Sequence, residues 1–133
     1  APLTAEETTL ARDLFTNPAA PCLKCHATGD LNHDKNATAP NFLSAGTRLR
    51  QAWAVRWVTD PAKIIPGTAM PSGLFHKVGD RWVFAGTVPT QFSHYTGDHA
   101  DLMVRYLMEI TPEEQKRLLS STPKSAGAAP SGQ

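Results

Sequence analysis

The sequence predicts an all-α fold, a bundle of helices with one short β-hairpin inserted near 74–85. Three observations lead there. Apolar residues recur at helical spacing at Leu10, Leu14 and Phe15, and again at Leu102, Met103, Tyr106, Leu107 and Ile110. Capping residues open both runs: Thr4, with Glu7 three positions on, and Asp98. Between them only 74–78 and 81–85, flanking Gly79-Asp80, carry the marks of strands joined by a tight turn.

The 133 residues suggest one domain, 1–120, followed by a flexible tail or linker, 121–133, made of Ser, Pro, Gly, Ala and Lys. Eleven prolines and nine glycines imply much loop and therefore a thin core. The formal net charge of +1 predicts no nucleic-acid partner. No run of eighteen apolar residues predicts a transmembrane segment. Ala1-Pro2-Leu3 does not open a signal peptide, which leaves either a removed signal or a domain fused or tethered to a larger membrane complex.

In chain order, the first helix stops at Asn17-Pro18, because proline disfavours helical geometry in the residue before it. Residues 27–46 are rich in Asn, Asp, Thr and Gly and read as loop. A second helix is predicted over 47–59, with Leu49, Ala52, Trp53 and Trp57 at i, i+3, i+4 and i+8 and with Asp60-Pro61 ending it. Residues 61–66 lead into a stiff loop. Residues 71–97 hold the hairpin and a density of aromatic rings: Trp82, Phe84, Phe92 and Tyr95, with His76 and His94. Asp98 caps the last main helix. Met103 and Met108 within it read as core filler. Thr111-Pro112-Glu113-Glu114 starts a short final helix with proline at its first position and Glu114 closing a capping box, and Leu118 and Leu119 pin it to the domain.

The stretch that carries chemistry is Cys22-Leu23-Lys24-Cys25-His26, which holds the only two cysteines of the chain. C-x-x-C-H is the attachment signature of a c-type haem. Two thiols add across the two vinyl groups of one porphyrin, and the imidazole that follows lies under the ring and binds its iron. Two other readings stay open. Cys22 and Cys25 suit a redox dithiol, although no βαβ pattern surrounds them. With His26 they also make half of a zinc site, for which His94 and His99 offer a weak second half.

Downstream stands Ile65-Pro66-Gly67-Thr68-Ala69-Met70-Pro71. Proline fixes φ and glycine permits the tight turn, so Met70 is held in a stiff loop. A weakly binding thioether needs such stiffness. With both motifs in this order, the sequence resembles the monohaem class I cytochromes c. The resemblance covers the first helix, the Cys-His motif, a segment at Ala39-Pro40-Asn41-Phe42-Leu43, the methionine loop and the last main helix. It implies a cytochrome c-like bundle of helices around one covalent haem c, attached through Cys22 and Cys25, with iron held by His26 and Met70. It further implies that the Pro40 carbonyl accepts a hydrogen bond from His26. It implies that the first and last main helices cross at Ala11 and Phe15 against Tyr106 and Leu107. Trp53 or Trp57 would pack on the haem and offer an indole N–H to a propionate.

The function this implies is electron transfer by an electron carrier that is not itself an enzyme. The carrier would belong to a respiratory or other periplasmic redox chain, or to the outer face of a membrane, with redox proteins as donor and acceptor. His/Met ligation raises the potential of such a centre relative to two histidines. Lys24, Lys63 and Lys77 would aid docking, and the hairpin segment would cover one haem edge or build a docking surface. Three alternatives accompany this reading: a haem sensor or ligand-binding domain, a bis-histidine centre using His76, His94 or His99, and an electron-entry domain of a larger oxidase or dehydrogenase.

Overall fold

A computed structural model describes residues 2–20, 22, 26 and 41–120. Cys25, Pro40 and the predicted tail, 121–133, lie outside them. In chain order the elements are α1 (Ala5–Phe15), α2 (Ala45–Arg48), α3 (Gln51–Thr59), α4 (Pro61–Ile64), the strands β1 (Phe75–Val78) and β2 (Arg81–Phe84), α5 (His99–Glu109) and α6 (Pro112–Ser120). Single 3-10 turns occur at Phe42–Ser44 and Thr90–Phe92. The described chain is mostly helical with one small antiparallel sheet, as predicted.

Helix α1 begins where its capping box places it. Glu7 N–H donates to Thr4 Oγ1 at 3.1 Å, and Thr4 N–H donates to Glu7 Oε1 at 3.0 Å. The Thr4 amide holds the Glu7 carboxyl below its ordinary value, against the opposing effect of burial. Leu10, Ala11, Leu14 and Phe15 form the buried stripe. That stripe meets α5, whose Leu102, Met103 and Tyr106 are buried in the same cluster. The Phe15 ring lies 5.4 Å from Tyr106 and 5.5 Å from Phe42. Leu10, Leu14, Leu102 and Leu118 have no exposed surface. Each contributes roughly 1.5–3 kcal/mol of burial.

Helix α6 is pinned to this core by Leu118, and its cap differs from prediction. Thr111 Oγ1 accepts from Glu114 N–H at 3.1 Å, which is half of the capping box. The Glu114 carboxylate does not turn back to Thr111. It accepts from Arg12 Nε at 2.8 Å, from the second Arg12 nitrogen at 3.0 Å and from the Tyr106 hydroxyl at 2.7 Å. A two-pronged guanidinium and a phenol outbid one backbone amide for the same carboxylate. Burial alone would raise the Glu114 carboxyl, but these hydrogen bonds outweigh it and hold the group ionised.

The predicted helix over 47–59 is divided. Helix α2 ends at Arg48, and Arg50 is extended, with φ −90° and ψ 137°, before α3 begins. The reason lies far along the chain. A Cβ on Gly46 would stand 2.6 Å from the Met108 carbonyl oxygen, so α2 lies backbone to backbone against α5. The chain must change direction after it for α3 to pack on the same helix. Helix α4 adds one turn after Asp60, with Pro61 at its first position, where its missing N–H is harmless.

The hairpin forms as predicted, one residue shorter at either outer end. Its register pairs Phe75 with Phe84 and Lys77 with Trp82, and Gly79 takes φ +61° in the turn. It is fastened to the start of α5. Arg81 donates twice to the Gly97 carbonyl, at 3.1 and 2.9 Å. Trp82 N–H donates to Asp98 Oδ2 at 2.9 Å, while Asp98 Oδ1 caps α5 by accepting from Asp101 N–H at 2.8 Å. Phe84 N–H donates to Nδ1 of His99 at 2.9 Å.

Candidate functional site

Beyond α1 the chain turns on Asn17. Its side chain accepts from Ala19 N–H at 2.9 Å and donates to the Thr87 carbonyl at 2.7 Å. This ties the approach to the cysteine motif to the segment that leaves the hairpin. Gly86 completes the join, since a Cβ there would meet the Phe84 ring at 2.5 Å and the Ala19 methyl at 2.8 Å. His26 N–H then donates to the Cys22 carbonyl at 3.1 Å. That bond brings the His26 backbone against Cys22. Cys22 is half-buried and packs on the core. The His26 ring lies 4.6 Å from Phe42, tilted by 30°. The motif is thus rooted in the aromatic cluster of Phe42, Phe15 and Tyr106.

The methionine loop is as stiff as its prolines and glycine imply. Thr68 N–H donates to the Ile65 carbonyl at 3.2 Å across Pro66-Gly67, and Gly67 has φ +85°. Proline then glycine with positive φ is the chemistry of a type II turn. The Thr68 hydroxyl accepts from Met70 N–H at 3.3 Å, and Met70 is half-buried. Trp53 and Trp57, one turn apart on α3, stack on each other with ring centres 5.7 Å apart and planes 10° apart. Among the described residues, no hydrogen bond or ring contact joins Met70 or this stack to His26.

The expectation of one covalent haem c with its iron is corrected. Among the described residues, no three His, Cys, Asp or Glu side chains gather where they could hold a metal ion. The His26 ring meets the Phe42 ring. Cys25 and Pro40 lie outside the described residues, so their predicted roles, attachment and hydrogen-bond acceptance, have no structural account.

The other described histidines are accounted for otherwise. His99 is buried, stacked 5.9 Å from Tyr95, and its Nδ1 is taken by the Phe84 amide. Burial, and then the Arg81 charge, hold its imidazole below the ordinary value and so neutral, against the pull of Asp98. His94 Nε2 lies 2.9 Å from Glu6 Oε2 on the exposed surface. His76 is exposed on β1. The zinc half-site sought at His94 and His99 is therefore not formed among the described residues. Nothing in the sequence marked His99 as the acceptor that fixes the hairpin. The one available signal was a histidine immediately after a helix cap, and its partner lies fifteen residues back.

No helix of the described chain is long and apolar enough to cross a membrane. No protein-family model, curated protein or solved structure matches this chain.

Proposed function

We propose that the chain is an electron-transfer domain, with Cys22, Cys25, His26 and Met70 as the residues of its redox site. The observation that carries the reading is the order of the two motifs, a Cys-x-x-Cys-His sequence followed by a methionine clamped in a Pro-Gly turn. Two thiols and an imidazole within five residues give the chain groups suited to redox chemistry. Stiff surroundings suit electron transfer, because little needs to move when charge arrives or leaves. Phe42 against His26 and the Thr68 hydroxyl under Met70 supply that stiffness here. The arrangement of helices is cytochrome c-like in this reading: α1 and α5 meet through Phe15 and Tyr106, as the resemblance implies. Donor and acceptor are redox proteins, met in an exported compartment.

The test is a spectroelectrochemical titration of the full chain, produced in a host that exports it. Intact mass records whatever the thiols carry. The expected result is one reversible wave with a Nernst slope of about 59 mV, the mark of a one-electron couple. Its potential shifts in Met70→Ala, and the wave is lost in His26→Ala. A slope of about 30 mV, abolished by Cys22→Ser alone and indifferent to Met70, would replace the proposal with a dithiol couple. The absence of any wave would end it.

A further inference from the structure

A cleft of about 400 Å³ opens between α3, α4 and β2, and Cys22, His26 and Met70 are not among its described lining. Val55, Ile64 and the Trp82 indole give it apolar walls. Arg56 and Lys63 stand on its rim, and neither forms an ion pair with any acid among the described residues. The Thr59 hydroxyl spends its proton on the Val55 carbonyl at 2.8 Å, so it offers a ligand only lone pairs. Asp60 is the single acid among the described lining residues. A third cation stands nearby, since Lys77 Nζ lies 5.2 Å from the centre of the Trp82 ring.

We propose that this cleft binds a small aromatic carboxylate. The volume falls in the range of small-molecule sites. An indole wall favours a flat ring, which gains offset or edge contacts beyond its buried area. Two unpaired cations favour an anion, and a guanidinium matches a carboxylate with two parallel hydrogen bonds. A single negative charge suits the lining best, because Asp60 repels a second one. The ring lies between Val55, Ile64 and Trp82, and the carboxylate turns outward to Arg56 and Lys63. The site uses none of the residues of the proposed redox function, so it stands or falls apart from that function.

The test is a titration of the full chain with 2-naphthoate, followed through the three indole N–H resonances in proton–nitrogen spectra. Trp82→Phe assigns the resonance that matters. The expected result is a saturable shift at Trp82, with binding at least tenfold tighter than for the neutral isostere 2-naphthalenemethanol. The double variant Arg56→Gln, Lys63→Gln weakens 2-naphthoate at least tenfold and leaves the alcohol unchanged. Asp60→Asn tightens it. No saturable shift at Trp82, equal affinity for acid and alcohol, or full affinity in the double variant would each overturn the proposal. Arg56, Asp60 and Lys63 are exposed, so a folding defect does not obscure their outcomes, and half-buried Trp82 is replaced only to assign its resonance.

Discussion

Replacing His99 tests the most specific contact described above. The Phe84 amide is buried, with 2 % of the residue exposed, and Nδ1 of His99 is its acceptor at 2.9 Å. His99→Leu keeps an apolar side chain of similar bulk and removes the acceptor. The orphaned amide should cost about 1–3 kcal/mol. The imidazole also carries a pH dependence whose sign is fixed by its environment. Burial and Arg81 depress its pKa in the folded state, while in the unfolded chain it titrates near 6.5. Above that value both states are neutral, and the contribution of His99 is intact. As pH falls below it, the unfolded chain binds a proton that the folded one refuses, and stability drops by up to about 1.4 kcal/mol per pH unit. The loss levels off once folded His99 is itself protonated. Asp98 and the Tyr95 ring face the same imidazole. Urea denaturation of parent and variant at several pH values from 8 to 4, followed by tryptophan fluorescence, isolates the effect as a difference. The variant should be weaker at pH 8, and the gap should narrow toward acid. A variant as stable as the parent at pH 8, or one keeping the parental acid slope, would refute the argument. His99→Asn, whose amide oxygen can stand near Nδ1, should recover part of the stability at pH 8 while still lacking the titration.

Other outcomes follow from single contacts. Gly46→Ala drives a methyl to within 2.6 Å of the Met108 carbonyl oxygen, where backbone must yield, and should cost about 1–3 kcal/mol in the urea midpoint. Tyr106→Phe removes a 2.7 Å hydrogen bond to the ionised Glu114 carboxylate and should cost about 1.5–3 kcal/mol by the same assay. In the parent, burial and then Glu114 push the Tyr106 phenol above its ordinary value, and burial does the same for Tyr95. Alkaline titration at 295 nm should therefore show less tyrosinate at pH 10 in the folded protein than in the urea-unfolded chain, the remainder appearing at higher pH or with unfolding.

Local signals were readable in the sequence, because both partners of each lie within a few residues. The Thr4–Glu7 box, the Asp98 cap and the Gly79-Asp80 turn each form where they were expected. Partners distant in sequence decided the rest. The division between α2 and α3 comes from Gly46 meeting Met108, a contact that no periodicity in 47–59 encodes. The Glu114 box is only half made because Arg12, on the first helix, draws the carboxylate away. The site divides in the same way. The hydrogen bond joining Cys22 to His26 and the turn holding Met70 are local and readable. That His26 would face Phe42, and that Trp53 would stack on Trp57, depended on packing that the spacing alone does not state.

Asp98 touches two amides with two oxygens, one in the helix it caps and one in the strand beside it. A hairpin with four-residue strands is marginal alone in water. Here it cannot detach without leaving the carboxylate that also starts α5 half-used, and the helix cannot fray at that end without loosening the strand. Opening is therefore shared: the hairpin and the first turn of α5 behave as one cooperative unit. In heavy water the amides of Trp82, Phe84 and Asp101 should exchange at one common rate, slower than any isolated hairpin would allow.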